Sequence, residues 1–165
     1  MAKNYFKRKV YQFCWFMLAR WTPRFLNPWR IALLRVFGAQ IANGCVVYSS
    51  SIIWAPWNLI MNTGSCVGPR AQVYNVGRVT LGAHALISQD AYICTASHDF
   101  RDPDFPLTVA EILIEERAWV SARCIVLPGV TIAAGSILGA GSVASRSTDY
   151  EKVYAGNPIQ LVGKR

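Results

Sequence analysis

An all-β solenoid is the fold class this sequence predicts: a parallel β-helix of hexapeptide repeats behind a short α-helical N-terminal segment. Two periodic series predict it. Between residues 114 and 145, steps of six land on Ile114, Val120, Val126, Ile132, Leu138 and Ala144, aliphatic or small each time. Four residues after each of the first five stand Ala118, Cys124, Val130, Ser136 and Ser142, all small or medium. Neither the 3.6 period of a helix nor the 2 of a strand makes a strict repeat of six, whereas one short strand and one turn per hexad does. Gly129, Gly135, Gly139 and Gly141 fall where a tightly turning chain wants them.

Residues 1–38 are of a different kind. Tyr11, Phe13, Trp15, Phe16, Trp21, Phe25 and Trp29 alternate with basic residues. Residues 10–19 are apolar apart from Gln12 and read as a short helix. Asn27 and Pro28 read as an N-cap with proline at the first helical position, opening a second helix that stops at Gly38. Such a segment lies in a membrane interface, packs its aromatics on the end of the solenoid with its arginines in water, or does both.

The six-step starts at Ile41 and runs through Val47 and Ile53, blurs across Trp54, Ala55, Pro56, Trp57 and Asn58, and resumes at Met61, Val67, Val73 and Val79. A shift of two resets it to Leu81, Ile87 and Ile93, and Ile114 takes it up again after an excursion. The solenoid is therefore expected over residues 39–145, with an excursion loop at 96–113 and a polar linker and basic tail at 146–165. The excursion carries Ser97, His98, Asp99, Arg101, Asp102, Pro103, Asp104 and Pro106. A long polar loop thrown out of a regular coil is usually functional.

With 165 residues, 53% hydrophobic and only 16% charged, the chain suits one domain with a sizeable core. No apolar run reaches the roughly 18 residues of a bilayer span, and no secretory signal peptide is evident, so a cytoplasmic protein is expected. Five cysteines, odd in number and never spaced as CxxC, read as reduced thiols. The net charge of +8 is uneven: no acidic residue precedes Asp90, while Lys3, Lys7, Arg8, Lys9, Arg20, Arg24, Arg30 and Arg35 crowd the opening. That field favours polyanions; no nucleic-acid recognition motif accompanies it, and nucleic acid is not an expected partner.

Histidine is the natural proton carrier near neutral pH, and there are two. His84 sits inside a hexad as an outward turn residue. His98 opens the excursion and is the catalytic candidate. Ser121, Ser142, Ser145 and Ser147 lie in no strained GxSxG elbow, and Gly139, Ala140, Gly141 and Ser142 lack the lysine and context of a phosphate loop. Two histidines do not make a three-histidine zinc site, so no metal is expected.

Four motifs carry a resemblance: Trp119-Val120-Ser121-Ala122, Leu127-Pro128-Gly129-Val130, Gly139-Ala140-Gly141-Ser142 and Gly156-Asn157-Pro158. Together they resemble the C-terminal half of the hexapeptide-repeat acyltransferases with a left-handed β-helix. Val73 to Gly77, Ile87 to Tyr92 and Thr95 to Asp99 look most like the sugar O-acetyltransferases of exopolysaccharide assembly, in particular the colanic acid branch. The left hand comes from the resemblance alone, since the general rule for parallel connections gives the right. Ser121 and Ala133 stand where the family usually has glycine, so those turns are expected to be slightly altered.

The resemblance implies transfer of an acetyl group from acetyl-CoA to a sugar hydroxyl, within a homotrimer whose sites lie between subunits. His98 is implied as the base, with Asp99 or a backbone carbonyl setting its tautomer. Acetyl-CoA would lie on Ser88, Trp119, Ala122, Gly139, Ala140, Ser145 and Arg146, with Arg146 on a phosphate and the Ser88 region offering donors to the oxyanion. Asn75 and Asp99 would approach the saccharide acceptor, expected to be lipid-linked at the cytoplasmic membrane face. Two readings compete: a non-catalytic solenoid scaffold at the membrane surface, and an acetyltransferase for a small non-sugar acceptor.

Overall fold

In the computed structural model, which describes residues 4–165, the period of six becomes a left-handed parallel β-helix. Lys3 lies outside the described residues. Each hexad gives a strand of two or three residues and then a corner, so the coil has three faces. The first stacks Gln40–Ile41, Leu59–Met61, Val79–Leu81, Ile112–Ile114 and Thr131–Ile132. The second stacks Val46–Val47, Cys66–Val67, Leu86–Ile87, Trp119–Val120, Ile137–Leu138 and Lys152–Ala155. The third stacks Ile52–Ile53, Gln72–Tyr74, Tyr92–Cys94, Ile125–Val126 and Val143–Ala144.

Alternate strand residues point in and out, so a two-residue strand has one inward side chain. Ile41, Met61, Leu81, Ile114 and Ile132 are register partners in turn and form one buried column. The second series turns inward at the corners, where only small groups fit: Ala118, Cys124, Ser136 and Ser142 are fully buried. The two serines are satisfied, Ser136 Oγ against Thr148 Oγ1 at 2.8 Å and Ser142 Oγ donating to the Gly139 carbonyl at 2.6 Å. Corners also need residues in the left-handed region. Gly64 (φ +71°) is one, and a Cβ there would lie 2.5 Å from Nδ1 of His84 on the coil above. His84, itself at φ +57° and exposed, is the corner residue its place in the hexad predicts. The turns at Ser121 and Ala133 close as the others do, through Cys124 N–H to Ser121 and Ser136 N–H to Ala133.

The register explains the irregular spacing. From Ile41 to Met61 and from Met61 to Leu81 the coil takes 20 residues, from Leu81 to Ile114 it takes 33, and from Ile114 to Ile132 it takes 18. Every surplus leaves at the corner between the third and first faces, as Trp54 to Asn58, Asn75 to Arg78, and the excursion. The two-residue shift near Leu81 is one such surplus, absorbed because Val79 and Leu81 both point inward.

The start of a solenoid is an open sheet edge that needs covering. Helix α1 (Tyr5–Leu18) and helix α2 (Asn27–Val36) cover it. Asn27, expected to cap its own helix, makes no capping bond. It is the first residue of α2, and its amide spans to the coil, Nδ2 donating to the Cys45 carbonyl at 2.9 Å and Oδ1 accepting from Val47 N–H at 3.0 Å. Arg30 corrects the expectation of arginines in water. It is 1% exposed, donates from Nε to the Val47 carbonyl at 2.8 Å, and spreads its remaining donors over Thr22, Pro23 and Arg24. α1 begins earlier than residue 10 and buries Tyr11 and Trp15, the tyrosine ring edge-on to Phe37 at 5.3 Å.

The C-terminal stretch is also corrected. In place of a polar linker and basic tail, Lys152–Ala155 continues the second face beside Ile137–Leu138, and Gln160–Lys164 pairs back on it antiparallel. Replacing Asn27 by alanine leaves a peptide N–H and a carbonyl of the first coil unpartnered, so Asn27→Ala should lower the unfolding free energy by about 2 kcal/mol in urea denaturation.

Candidate functional site

The excursion after Thr95 is a hairpin and not the irregular loop expected. Ala96–His98 pairs antiparallel with Leu107–Val109, and Ala110 N–H closes its base on the Thr95 carbonyl at 2.9 Å. His98 is the last strand residue before the tip and is exposed. Its Nδ1 lies 2.5 Å from the Phe105 carbonyl, an acceptor only, so Nδ1 carries the proton and Nε2 holds a free lone pair. The tautomer is thus set by backbone. Asp99 instead accepts from Arg101 N–H at 3.0 Å and shapes the tip.

Directly opposed residues of an antiparallel pair project on one side. His98 opposes Leu107, and Ala96 opposes Val109. Leu107 and Val109 line a cleft of about 320 Å³ with Asn4, Arg8, Trp54, Trp57, Asn58 and Val76, so His98 shares the face of the hairpin that looks on this cleft. Its walls are aromatic and polar. The Arg8 guanidinium sits 4.2 Å over the Trp54 ring with Nε buried and unpartnered, and Trp54 packs on Tyr74 at 5.0 Å. Asn58 spends Nδ2 on the carbonyls of Asn75 and Val76. None of these wall residues was singled out from sequence as a site residue. The available signal was the blur in the repeat at Trp54 to Asn58, which marks the same corner.

Asn75 is a correction. Expected near the acceptor, it is fully buried, with Oδ1 accepting from Ala55 N–H at 2.9 Å and Nδ2 donating to the Ala55 carbonyl at 2.7 Å. Its amide stands in for a strand partner and holds the cleft corner from beneath.

The remaining predicted residues divide by corner. Ser145 and Arg146 leave the third face, at the same corner as His98, and both are exposed. Arg146 Nη2 donates to the Ile159 carbonyl at 3.0 Å. Ser88, Trp119, Ala122, Gly139 and Ala140 lie on the second face or at the corner that follows it. Trp119 Nε1 donates to Ser88 Oγ at 2.8 Å, joining two of them. Ser88 N–H is taken by the Val120 carbonyl at 2.8 Å, which leaves the Ser88 hydroxyl proton as the donor this residue can offer. Ala122, Ala140 and Gly141 line an open groove of about 470 Å³ with Gln89, Asp90, Arg70 and Arg123. Arg70 grips Asp90 through two contacts of 2.7 and 2.8 Å and holds its carboxyl below the usual range. Arg123, across the groove at φ +58°, is a cation that sequence reasoning missed. Its signal was a basic residue at a turn between small ones.

One chain therefore presents two candidate half-sites on two corners: the His98 imidazole on the hairpin face that looks on an aromatic cleft, and a small-faced groove edged by arginines. An imidazole with a free Nε2 can take a proton from a hydroxyl in the cleft. The groove accepts an extended chain against backbone, with cations available for phosphate.

No family model matches the chain. It is 39% identical over 145 residues to WcaF of Escherichia coli K12, named as a colanic acid biosynthesis acetyltransferase, covering 88% of this chain and 80% of that one. It is 33% identical over 140 residues to a galactoside O-acetyltransferase of Lactococcus lactis, covering 82% and 67%. Among solved structures, a hexapeptide-repeat acetyltransferase of Vibrio cholerae complexed with acetyl coenzyme A superposes with a TM-score of 0.86 at 21% identity, covering 99% of this chain and 89% of that one.

Gly77 lies beneath the hairpin, and a Cβ there would come within 2.7 Å of Val109 Cγ1. Gly77→Ala should loosen the hairpin alone. Amide exchange should speed up over residues 96–110 while the coil strands keep their protection.

Proposed function

This chain belongs to the hexapeptide-repeat acetyltransferases, and from that premise we propose that it moves an acetyl group from acetyl-CoA to a sugar hydroxyl in exopolysaccharide assembly. The observation that carries the reading is His98: its Nδ1–H is held by Phe105, and its side chain stands on the hairpin face that looks on the Trp54 cleft. Aromatic walls and amide oxygens suit a sugar, whose ring has apolar faces and a polar rim.

Acetyl-CoA supplies an acyl group activated as a thioester. His98 Nε2 takes the proton of the acceptor hydroxyl as that oxygen attacks the acyl carbon, and hands it to the departing thiol sulfur as the ester forms. The Phe105 carbonyl steadies the imidazolium between the two transfers. Ala122, Ala140 and Gly141 leave room for the pantetheine arm, while Arg123 and the free donors of Arg146 suit its phosphates.

Two half-sites on different corners support a homotrimer, in which the groove corner of one copy faces the His98 corner of the next and the ring closes. Five free thiols support a reducing, cytoplasmic setting.

His98→Ala should reduce kcat on the order of 10²–10⁴-fold with acetyl-CoA binding unchanged by calorimetry; wild-type turnover would sink the assignment. Arg146→Ala should weaken acetyl-CoA binding about tenfold, as loss of one charge-assisted contact, and leave acceptor saturation unaltered.

A further inference from the structure

Helix α1 is apolar on two sides. Tyr11 and Trp15 face the coil, while Phe6, Val10, Phe13 and Met17 recur at i, i+4, i+7 and i+11 on the opposite side, all exposed. Phe6 is 79% and Phe13 66% exposed. The patch continues past the helix end: Trp21, 73% exposed, lies edge-on to Phe16 at 5.7 Å, with exposed Phe25 beyond it. Lys9 flanks the stripe, Arg20 and Arg24 follow it, and no acidic residue occurs before Asp90. Beside Phe16, a cavity of about 220 Å³ opens between α1 and Ser51, Ile52 and Ile53. Trp15 Nε1 and Arg20 Nη1 border it, buried and without a partner.

An apolar stripe edged only by cations, with donors waiting beside it, matches one surface in both polarity and charge. We propose that α1 seats this protein on an anionic bilayer, with Phe6, Phe13, Met17 and Trp21 in the acyl boundary and Lys9, Arg20 and Arg24 among the phosphates. A second copy of the chain would bring the same cations against one another. No helix among the described residues is long and apolar enough to cross a membrane, so the attachment is peripheral. Asn4 and Arg8, on the far side of α1, line the Trp54 cleft. That cleft stands about one helix diameter, ~10 Å, above the headgroups. If the acetyltransferase reading holds, the saccharide it meets there is one carried on a lipid.

The test is flotation of the full chain with phosphatidylcholine vesicles, with and without phosphatidylglycerol, in the absence of acetyl-CoA. Binding should require the anionic lipid and fall with salt. Lys9→Gln with Arg20→Gln should weaken it about fivefold per charge removed. Ser replacing Phe6, Phe13 and Met17 should abolish it, while circular dichroism and the unfolding midpoint stay unchanged because these side chains touch no core. Binding equal on neutral vesicles, or surviving in the serine variant, would overturn the proposal. So would a serine variant that loses sedimenting mass without lipid, which would give the face to a second copy. Acetyl-CoA binding, followed separately by calorimetry, distinguishes failure here from failure of the acetyltransferase reading.

Discussion

Stacking in register is the constraint on which this molecule depends. A coil of short parallel strands is stable only where each strand meets its partner above and below at the same height. Any residue beyond that needed for one circuit must therefore leave the wall. Here the surplus leaves at one corner in three successive coils, giving the Trp54 to Asn58 bulge, the Asn75 to Arg78 turn and the His98 hairpin. The candidate catalytic corner is where the chain is longest.

The same constraint explains the asparagines. Where a regular strand partner is missing, a side-chain amide supplies the N–H and C=O that a peptide would have offered. Asn27 does this for the first coil from α2, and Asn75 does it for Ala55 beneath the cleft. Arg30 completes the cover by satisfying carbonyls from several directions while its methylenes pack. A buried guanidinium with carbonyl partners and no carboxylate keeps its charge through hydrogen bonds, even as burial lowers its pKa.

The geometry of the coil also separates the two candidate half-sites. A three-faced coil turns its corners 120° apart on average, so residues on different corners cannot converge in one copy. Trp119 and the small residues of its face lie at one corner and His98 on the hairpin lies at another. The cap has a division of its own, with one side of α1 packed on the coil and the other facing outward.

The inward columns were determined by the sequence alone, because a period of six is local and each hexad repeats the same choice of an aliphatic core residue and a small corner residue. The excursion that carries His98 was legible for the same reason in reverse: a polar run interrupts the period. The site around it was not. Which residues share a corner depends on offsets of 18, 20 and 33 residues, and a two-residue surplus changes the partner without changing the local pattern. So the cleft walls at Arg8, Trp54 and Asn58, the burial of Arg30 and Asn75, and the strand at Lys152–Ala155 were decided only by tertiary stacking. A polar side chain's role depends on which backbone it meets across the turn, and that contact lies outside any short window of sequence.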